Sequence, residues 1–383
     1  MSPPCLTRTS LPRALTRFGG ALLLPLVATV GAEGAIEPPP TGKALYQTAC
    51  ASCHGATGKG APPSLRGFDD PLPDFTDSSF SSREPAWDWA GIAFEGGPSR
   101  GFSEMMPAFG GLLTIEELEA AVAYIKGFAT DNEWPVGELN LPRALVTGKA
   151  FPEDEAVIAA QINTKAPGRI VNRLVYEQRF GARNQWEIAV PFGWHEVPVT
   201  DGSGQATSWT SSMGDIALSL KRAVYHDRDS IVSVAGELFL PTGDDERGFG
   251  RGTALFEPYI AYGQILPAGF FFQSILGAEL PFDKDKAKNE GLFRNTIGWT
   301  GQSGRFGRSW SPMLELLVGR DLVAGEDFIF DLVPQMQVTL SKRQHVRVNA
   351  GVRVPLNKRD ERDAQVLFYV LWDWFDGTLF EGW

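Results

Sequence analysis

Two cysteines and a histidine lie close together near the start of the chain, in the stretch Cys50-Ala51-Ser52-Cys53-His54. This Cys-x-x-Cys-His spacing is the one used for covalent attachment of a c-type haem. The chemistry requires the spacing because the two thiols add to the two vinyl groups on one edge of the porphyrin, while the imidazole of the next residue reaches the iron. The sequence therefore predicts one covalently bound haem c, with Cys50, Cys53 and His54 holding it.

Three other uses of a cysteine pair compete with this interpretation. A zinc half-site would need two further Cys or His nearby, and the sequence has none between His54 and His195. A thioredoxin-like redox pair would be expected beside a βαβ pattern, which is absent here. A structural disulfide is the remaining alternative and stays open at this point.

A six-coordinate haem iron needs a second axial ligand, and methionine is a common partner of histidine in electron carriers. Met105 and Met106 are the only methionines between residues 2 and 212. Met106 precedes Pro107, whose fixed φ makes the turn that presents the sulfur rigid. We therefore predict His54 and Met106 as the iron ligands. Met105 stays open as an alternative, as does the view that both side chains only fill a loop.

Two segments around these residues have the pattern of helices. Gly42 and Tyr46 lie eight and four residues before Cys50, on one face of a helix that leads to the haem site. Residues 114–117 have the sequence of a capping box. They open a second helix, whose apolar stripe consists of Leu118, Ala121, Val122 and Ile125.

Residues 41–128 resemble a class I c-type cytochrome domain. The resemblance rests on the approach Gly42-x-x-x-Tyr46-x-x-x-Cys50, the Gly58-Lys59-Gly60 loop and the sequence Met106-Pro107-Ala108-Phe109 before the last helix. It implies a small all-α domain with His54 proximal and Met106 distal to the iron. It also implies that the helix bearing Gly42 crosses the terminal helix near Ala121 and Tyr124.

The first 32 residues have the three-part pattern of a secretory signal peptide. They carry Arg8, Arg13 and Arg17 and no acidic residue, and an apolar run extends from residue 21 to residue 30. About 10 apolar residues are too few for a membrane-spanning helix, which needs roughly 20. We therefore expect cleavage after about Ala32, with an uncleaved anchor as the alternative.

Beyond about residue 153 the pattern changes from helical to alternating. Apolar and polar side chains alternate in segments of roughly 10 to 15 residues, which predicts about 12 strands. The alternation fits either a soluble sandwich or propeller, or an antiparallel up-and-down barrel in a membrane. The barrel is favoured because charged residues recur on the polar faces: Glu237, Glu257, Glu279, Arg347 and Arg353.

Most of residues 170–375 also resemble outer-membrane porin-like proteins of the phenol-degradation transporter type. The segments that carry the resemblance are Gly214-Asp215-Ile216-Ala217-Leu218 and residues 237–244, which read ELFLPTGD. The resemblance implies an outer-membrane barrel in contact with lipid, through which a small-molecule solute could pass.

These observations predict a fold of the class α + all-β, in two domains. A signal peptide (1–32) precedes a cytochrome c domain (33–128), a linker (129–152) and a β-barrel (153–383). The predicted function is electron transfer through a single haem in the periplasm, with a periplasmic redox partner and no catalytic residue. The net charge of −11 and the lack of a basic segment after the N-terminus argue against nucleic acid binding.

Two other functions stay open at this point. The barrel could be a solute channel with an accessory cytochrome domain. Alternatively, the β-rich part could be a soluble dehydrogenase that passes electrons to the haem.

Overall fold

The structure, a computed structural model, describes residues 40–201, 204–303, 306–341 and 344–374. The predicted signal peptide lies outside these residues. None of the helices in the described ranges is long and apolar enough to cross a membrane.

Short helices build the first part of the chain, as predicted. The capping box is present: the Thr114 hydroxyl accepts from the N–H of Glu117, and the Glu117 carboxylate accepts from the N–H of Thr114. The predicted apolar stripe of this helix is buried. The helices are α1 Pro40–Leu45, continued by a π-helical turn Tyr46–Cys50, α2 Ala51–His54, α3 Pro63–Arg66, α4 Ser78–Ser81, α5 Ala86–Glu95 and α6 Ile115–Lys126, with 3₁₀ turns at Gly97–Arg100 and Gly137–Leu139.

Helix α1 crosses α6 closely, as the cytochrome resemblance implies. A β-carbon at Gly42 would collide with the carbonyl oxygen of Ala120, so the two backbones touch. The rings of Tyr46 and Tyr124 lie 5.5 Å apart. The crossing brings the end of α1, and with it the haem-binding sequence, against the terminal helix.

Twelve antiparallel strands close into a β-barrel, which confirms the predicted barrel and its strand number. The closed order is β1-β2-β3-β5-β6-β7-β8-β9-β11-β12-β13-β14 and back to β1. The strands are β1 Glu155–Asn163, β2 Arg169–Phe180, β3 Asn184–Asp201, β4 Gly204–Met213, β5 Ala217–His226, β6 Ser230–Phe239, β7 Leu255–Ile265, β8 Phe270–Pro281, β9 Glu290–Trp299, β10 Gly301–Gln302, β11 Ser309–Asp321, β12 Ile329–Thr339, β13 Val346–Pro355 and β14 Gln365–Asp373. β4 pairs with the distal part of β3 only, and β10 pairs with the start of β11.

Apolar side chains point out of the barrel and polar ones point in. In β5, Leu218 and Leu220 are exposed, whereas Ser219 and Lys221 are buried. The other strands alternate in the same way, so the charged residues on their polar faces lie inside the barrel. They form ion pairs there, such as Arg173 with Glu237 (2.7 Å) and Arg251 with Glu279 (2.7 Å).

The barrel begins and ends at the same mouth, because Glu155 at the start of β1 pairs directly with Asp373 at the end of β14. The turns at this mouth include the short segments 181–183 and 227–229. The connections at the opposite mouth are longer, as in residues 240–254 and 282–289. We call these two ends the near mouth and the far mouth.

The connection between the two domains runs through the barrel. After the 3₁₀ turn Gly137–Leu139, residues 139–153 enter the lumen and then lead into β1. We call this segment the lumen plug. Its backbone is bound by wall residues that are buried, among them Glu315, which is fully inaccessible to solvent. Much of the predicted linker (129–152) is therefore an internal element of the barrel as well as a connection.

Candidate haem site

An apolar cavity of about 770 Å³ lies within the helical domain. Cys50, Cys53, His54 and Met106, the four residues predicted from the sequence, all line it. The rest of the wall is mainly apolar and aromatic, with Leu72, Phe75, Phe109, Leu113, Trp89 and Ile92 among the lining residues. A cavity of this size and composition fits a porphyrin, because cofactor sites are mostly apolar with a few placed polar groups.

The C-terminal end of the haem-binding sequence is held by hydrogen bonds. Tyr46 is completely buried, and its hydroxyl donates to the carbonyl of Gly55 (2.5 Å). Burial raises the pKa of Tyr46 to about 12, so the phenol stays a donor at neutral pH. After α2 the chain turns at Gly55 (φ 74°), and the N–H of Gly60 donates to the carbonyl of His54 (2.9 Å). The motif is thereby fixed as one turn of helix facing the cavity.

The two cysteines are thiols in this setting. Among the described residues neither forms a disulfide. Burial, reinforced by the neighbouring Cys53, raises the pKa of Cys50 to about 11. Both thiols line the cavity, where they can reach the edge of a bound haem.

His54 is held in the cavity by packing. Its ring stacks on Phe75, with ring centroids 4.9 Å apart and planes 28° apart. Burial lowers the pKa of His54 to about 4, so the imidazole is neutral at pH 7, the form that can bind iron. Its Nδ1 atom is buried without a hydrogen-bond partner in the described part of the chain. These features suit the role of an iron ligand.

The two methionines differ in their exposure to solvent. Met105 is 51% exposed, whereas Met106 is half-buried. The backbone of Met106 is fixed on both sides: its N–H donates to Ser103 (3.2 Å), and its carbonyl accepts from Gly97 (3.0 Å). Both methionines line the cavity, and the assignment of Met106 as the iron ligand remains a prediction that this geometry supports.

Sequence reasoning missed a partly buried cation beside the cavity. Lys126 at the end of α6 donates to the carbonyls of Ser81 (2.6 Å) and Glu84 (2.8 Å), and its ammonium group lies 3.7 Å from the ring centroid of Trp89. Burial lowers the pKa of Lys126 to about 8. One signal was available in the sequence: Lys126 lies four residues after Val122, on the apolar stripe of the helix.

Comparison with known families gives two matches on different parts of the chain. Residues 40–129 match the family described as "Cytochrome c". Residues 160–310 match the family described as "Putative MetA-pathway of phenol degradation". The chain thus joins a segment that matches the cytochrome c family to a segment that matches this phenol-degradation family, as the two resemblances in the sequence indicated.

Several solved outer-membrane proteins are similar to the barrel at low sequence identity. An outer membrane channel from Pseudomonas putida F1 has 14% identity and a TM-score of 0.42, covering 59% of this chain and 97% of its own. NanC porin has 8% identity and a TM-score of 0.40, covering 57% and 98%. KdgM porin has 8% identity and a TM-score of 0.37, covering 57% and 99%. Comparison with curated proteins gives no match.

Proposed function

We propose that this protein carries electrons through one haem c, held in its helical domain at the periplasmic face of the outer membrane. The observation that carries the proposal is the meeting of Cys50, Cys53, His54 and Met106 around one apolar cavity. A bound haem would supply one-electron exchange between Fe(II) and Fe(III).

The residues that line the cavity would have two roles, haem attachment and iron binding. Cys50 and Cys53 would hold the haem by thioether bonds, and His54 and Met106 would be the iron ligands. A methionine ligand raises the reduction potential relative to a second histidine. The aromatic side chains of Phe75 and Trp89 line the cavity and would limit the access of water to a bound haem, which would also tune its reduction potential.

The membrane location is proposed from the outer surface of the barrel. Its strands present exposed apolar side chains in alternation with buried polar ones, as with Leu220, which is 62% exposed between Ser219 and Lys221. A tilted strand needs about 9 to 11 residues to cross a bilayer, and β1 has 9 and β11 has 13. This outer surface also argues against a soluble dehydrogenase, in which it would face water.

The orientation is proposed from the two mouths. Outer-membrane barrels have short turns on the periplasmic side and longer loops outside. The near mouth has the short turns, and both ends of the barrel lie there. The helical domain precedes β1 and contacts this mouth, for example through Arg83 and Asp154 (3.4 Å). The haem domain would accordingly face the periplasm, where a redox partner can reach it.

Membrane fractionation with haem staining tests this proposal. The expected result is a c-type pyridine haemochrome that co-purifies with outer membranes and disappears in Cys50→Ser/Cys53→Ser. Protease added to intact cells should leave the haem domain uncut, whereas protease added after the outer membrane is permeabilised should release it. Recovery of the native protein in the soluble periplasmic fraction would contradict the barrel assignment.

A second function, passage of a polar solute, is favoured by the lumen. Its wall is polar, and a cavity of about 640 Å³ lies at the far mouth. Acidic and basic side chains line this cavity together, including Arg251, Glu279, Lys286, Glu290 and Asp321. The way from this cavity to the near mouth is filled by the lumen plug.

A further inference from the structure

The lumen plug is bound to the barrel wall on many sides. Glu315 of β11 accepts hydrogen bonds from the N–H of Val146 (3.1 Å), the N–H of Thr147 (2.6 Å) and the Thr147 hydroxyl (2.6 Å). Wall side chains of other strands bind plug backbone groups in the same way: Gln185 of β3, Lys221 of β5, Ser233 of β6, Gln273 of β8, Gln335 of β12, Asn349 of β13 and Tyr369 of β14. Hydrogen bonds from this many strands fix the lumen plug in one position within the barrel.

Apolar side chains of the plug complete the filling of the lumen. Leu139, Ala150 and Phe151 are buried in one cluster with wall residues. The wall is lined there by small side chains, Ala223 and Ala261, which leave the space that the plug occupies. The lumen plug therefore occupies the near half of the lumen, in the path that a solute would take.

The residues that flank the lumen plug on both sides contact the same short turn of the haem domain, residues 83–86, which we call the latch turn. At the start, a β-carbon on Gly137 would collide with the backbone of Glu84, and the Glu138 carboxylate accepts from the N–H of Ala86 (2.8 Å). At the end, Arg83 pairs with Asp154 (3.4 Å), which is buried at the start of β1.

The latch turn also binds residues that form the wall of the haem cavity. The indole N–H of Trp89, which lines the cavity, donates to the Glu84 carboxylate (2.5 Å). Lys126 of α6 donates to the Glu84 carbonyl (2.8 Å). The contacts thus run without a break from the haem cavity through Trp89 and Glu84 to the entry of the plug.

We propose that the lumen plug is a closed gate for polar solutes and that the latch turn of the haem domain holds it shut. The haem domain then controls permeation as well as carrying electrons, since any event that shifts residues 83–86 releases both ends of the plug together. The inference rests on the proposed membrane location of the barrel and is independent of electron transfer.

Conductance of the full-length haem-loaded protein in planar bilayers, with KCl as the permeating salt, tests the gate. The wild type is expected to stay mostly closed. Gly137→Ala, which forces the plug entry away from Glu84, and Arg83→Gln, which breaks the pair with Asp154, should each raise the open fraction about tenfold, equivalent to about 1.4 kcal/mol of lost latch stabilisation. Glu315→Ala, which removes a plug anchor far from the haem domain, should also open the channel.

Two matched variants serve as controls. Gly111→Ala adds a β-carbon that meets no atom within 4 Å. Arg228→Gln removes an exposed guanidinium from the turn 227–229 at the same mouth. Both should conduct like the wild type. The haem spectrum and the heat-dependent gel mobility of the barrel establish that each variant is folded.

Three results would overturn the proposal. A wild type that conducts freely would show that the plug is no gate. Latch variants with intact haem and barrel that stay as closed as the wild type would remove the latch turn from the mechanism, and opening by Glu315→Ala alone would lead to the same conclusion. Failure of electron transfer would appear separately, in a redox titration of the haem, and leaves these conductance results unchanged.

Discussion

Gly42 of α1 lies directly against the backbone carbonyl of Ala120 in α6, so close that no β-carbon fits between the two helices. Gly42→Ala must push the helices apart, and overpacking of this kind costs roughly 1 to 3 kcal/mol. We expect the urea midpoint of the haem domain, followed by Soret circular dichroism, to fall. Gly111→Ala, at a glycine with open space around it, should leave the midpoint unchanged.

The two methionines allow a paired test of the iron ligand. Met106→Ala should abolish the weak iron–sulfur charge-transfer band at the red end of the oxidised spectrum. It should also lower the reduction potential by on the order of 0.1 V or more, within the roughly 0.8 V range that axial ligands control. Met105→Ala is the matched control and should keep both. Survival of the band in Met106→Ala, together with its loss in Met105→Ala, would move the ligand to Met105.

Lys126 should make the stability of the haem domain depend on pH. Its folded-state pKa is about 8, below the unfolded value of about 10.4. The unfolded state thus binds more protons between these two values, and stability rises with pH in that window. The penalty for burying the ammonium group is complete below pH 8 and is relieved above it.

The measurement is urea unfolding at pH 7 and at pH 9.5. The free energy of unfolding of the wild-type haem domain should be about 2 kcal/mol larger at the higher pH. Lys126→Met should lose this gain, and Lys43→Met, at an exposed position of α1, should retain it. An equal gain in all three proteins would assign the pH dependence to other groups.

The barrel could be predicted closely because lipid and lumen impose opposite demands on alternate residues. Leu218 and Leu220 face outward while Ser219 and Lys221 face inward, and this alternation located the strands. The alternation did not reveal that β3 extends to Asp201 or that Gly204–Met213 forms β4. This hairpin pairs only with itself beyond the barrel wall, so no apolar face is required there and the signal is lost.

The haem site could be predicted because covalent attachment fixes the spacing of Cys50, Cys53 and His54. The lumen plug could not. Its partners are distant in the chain, as with Thr147 and Glu315, and its Pro and Gly residues have the composition of a linker. Nothing in the local sequence reveals that Lys149 is buried against Glu153 and Glu155. The three residues are close in the sequence, but only the closed barrel buries them.

Substitution of Arg143 in the lumen plug tests how much the buried ion pairs stabilise the barrel. It pairs with Glu155 of β1 and with Glu177 of β2 (2.6 Å), and both carboxylates are almost completely buried. Arg143→Met leaves two carboxylates without their main counter-charge, and breaking a buried pair in this way costs about 3 to 5 kcal/mol. The temperature at which the barrel loses its compact mobility in detergent gels should fall. The double variant Arg143→Met/Glu177→Gln also removes one of the two unpaired carboxylate charges, so its barrel should unfold at a higher temperature than that of Arg143→Met. A double variant no more stable than Arg143→Met would show that Arg143 acts through packing alone.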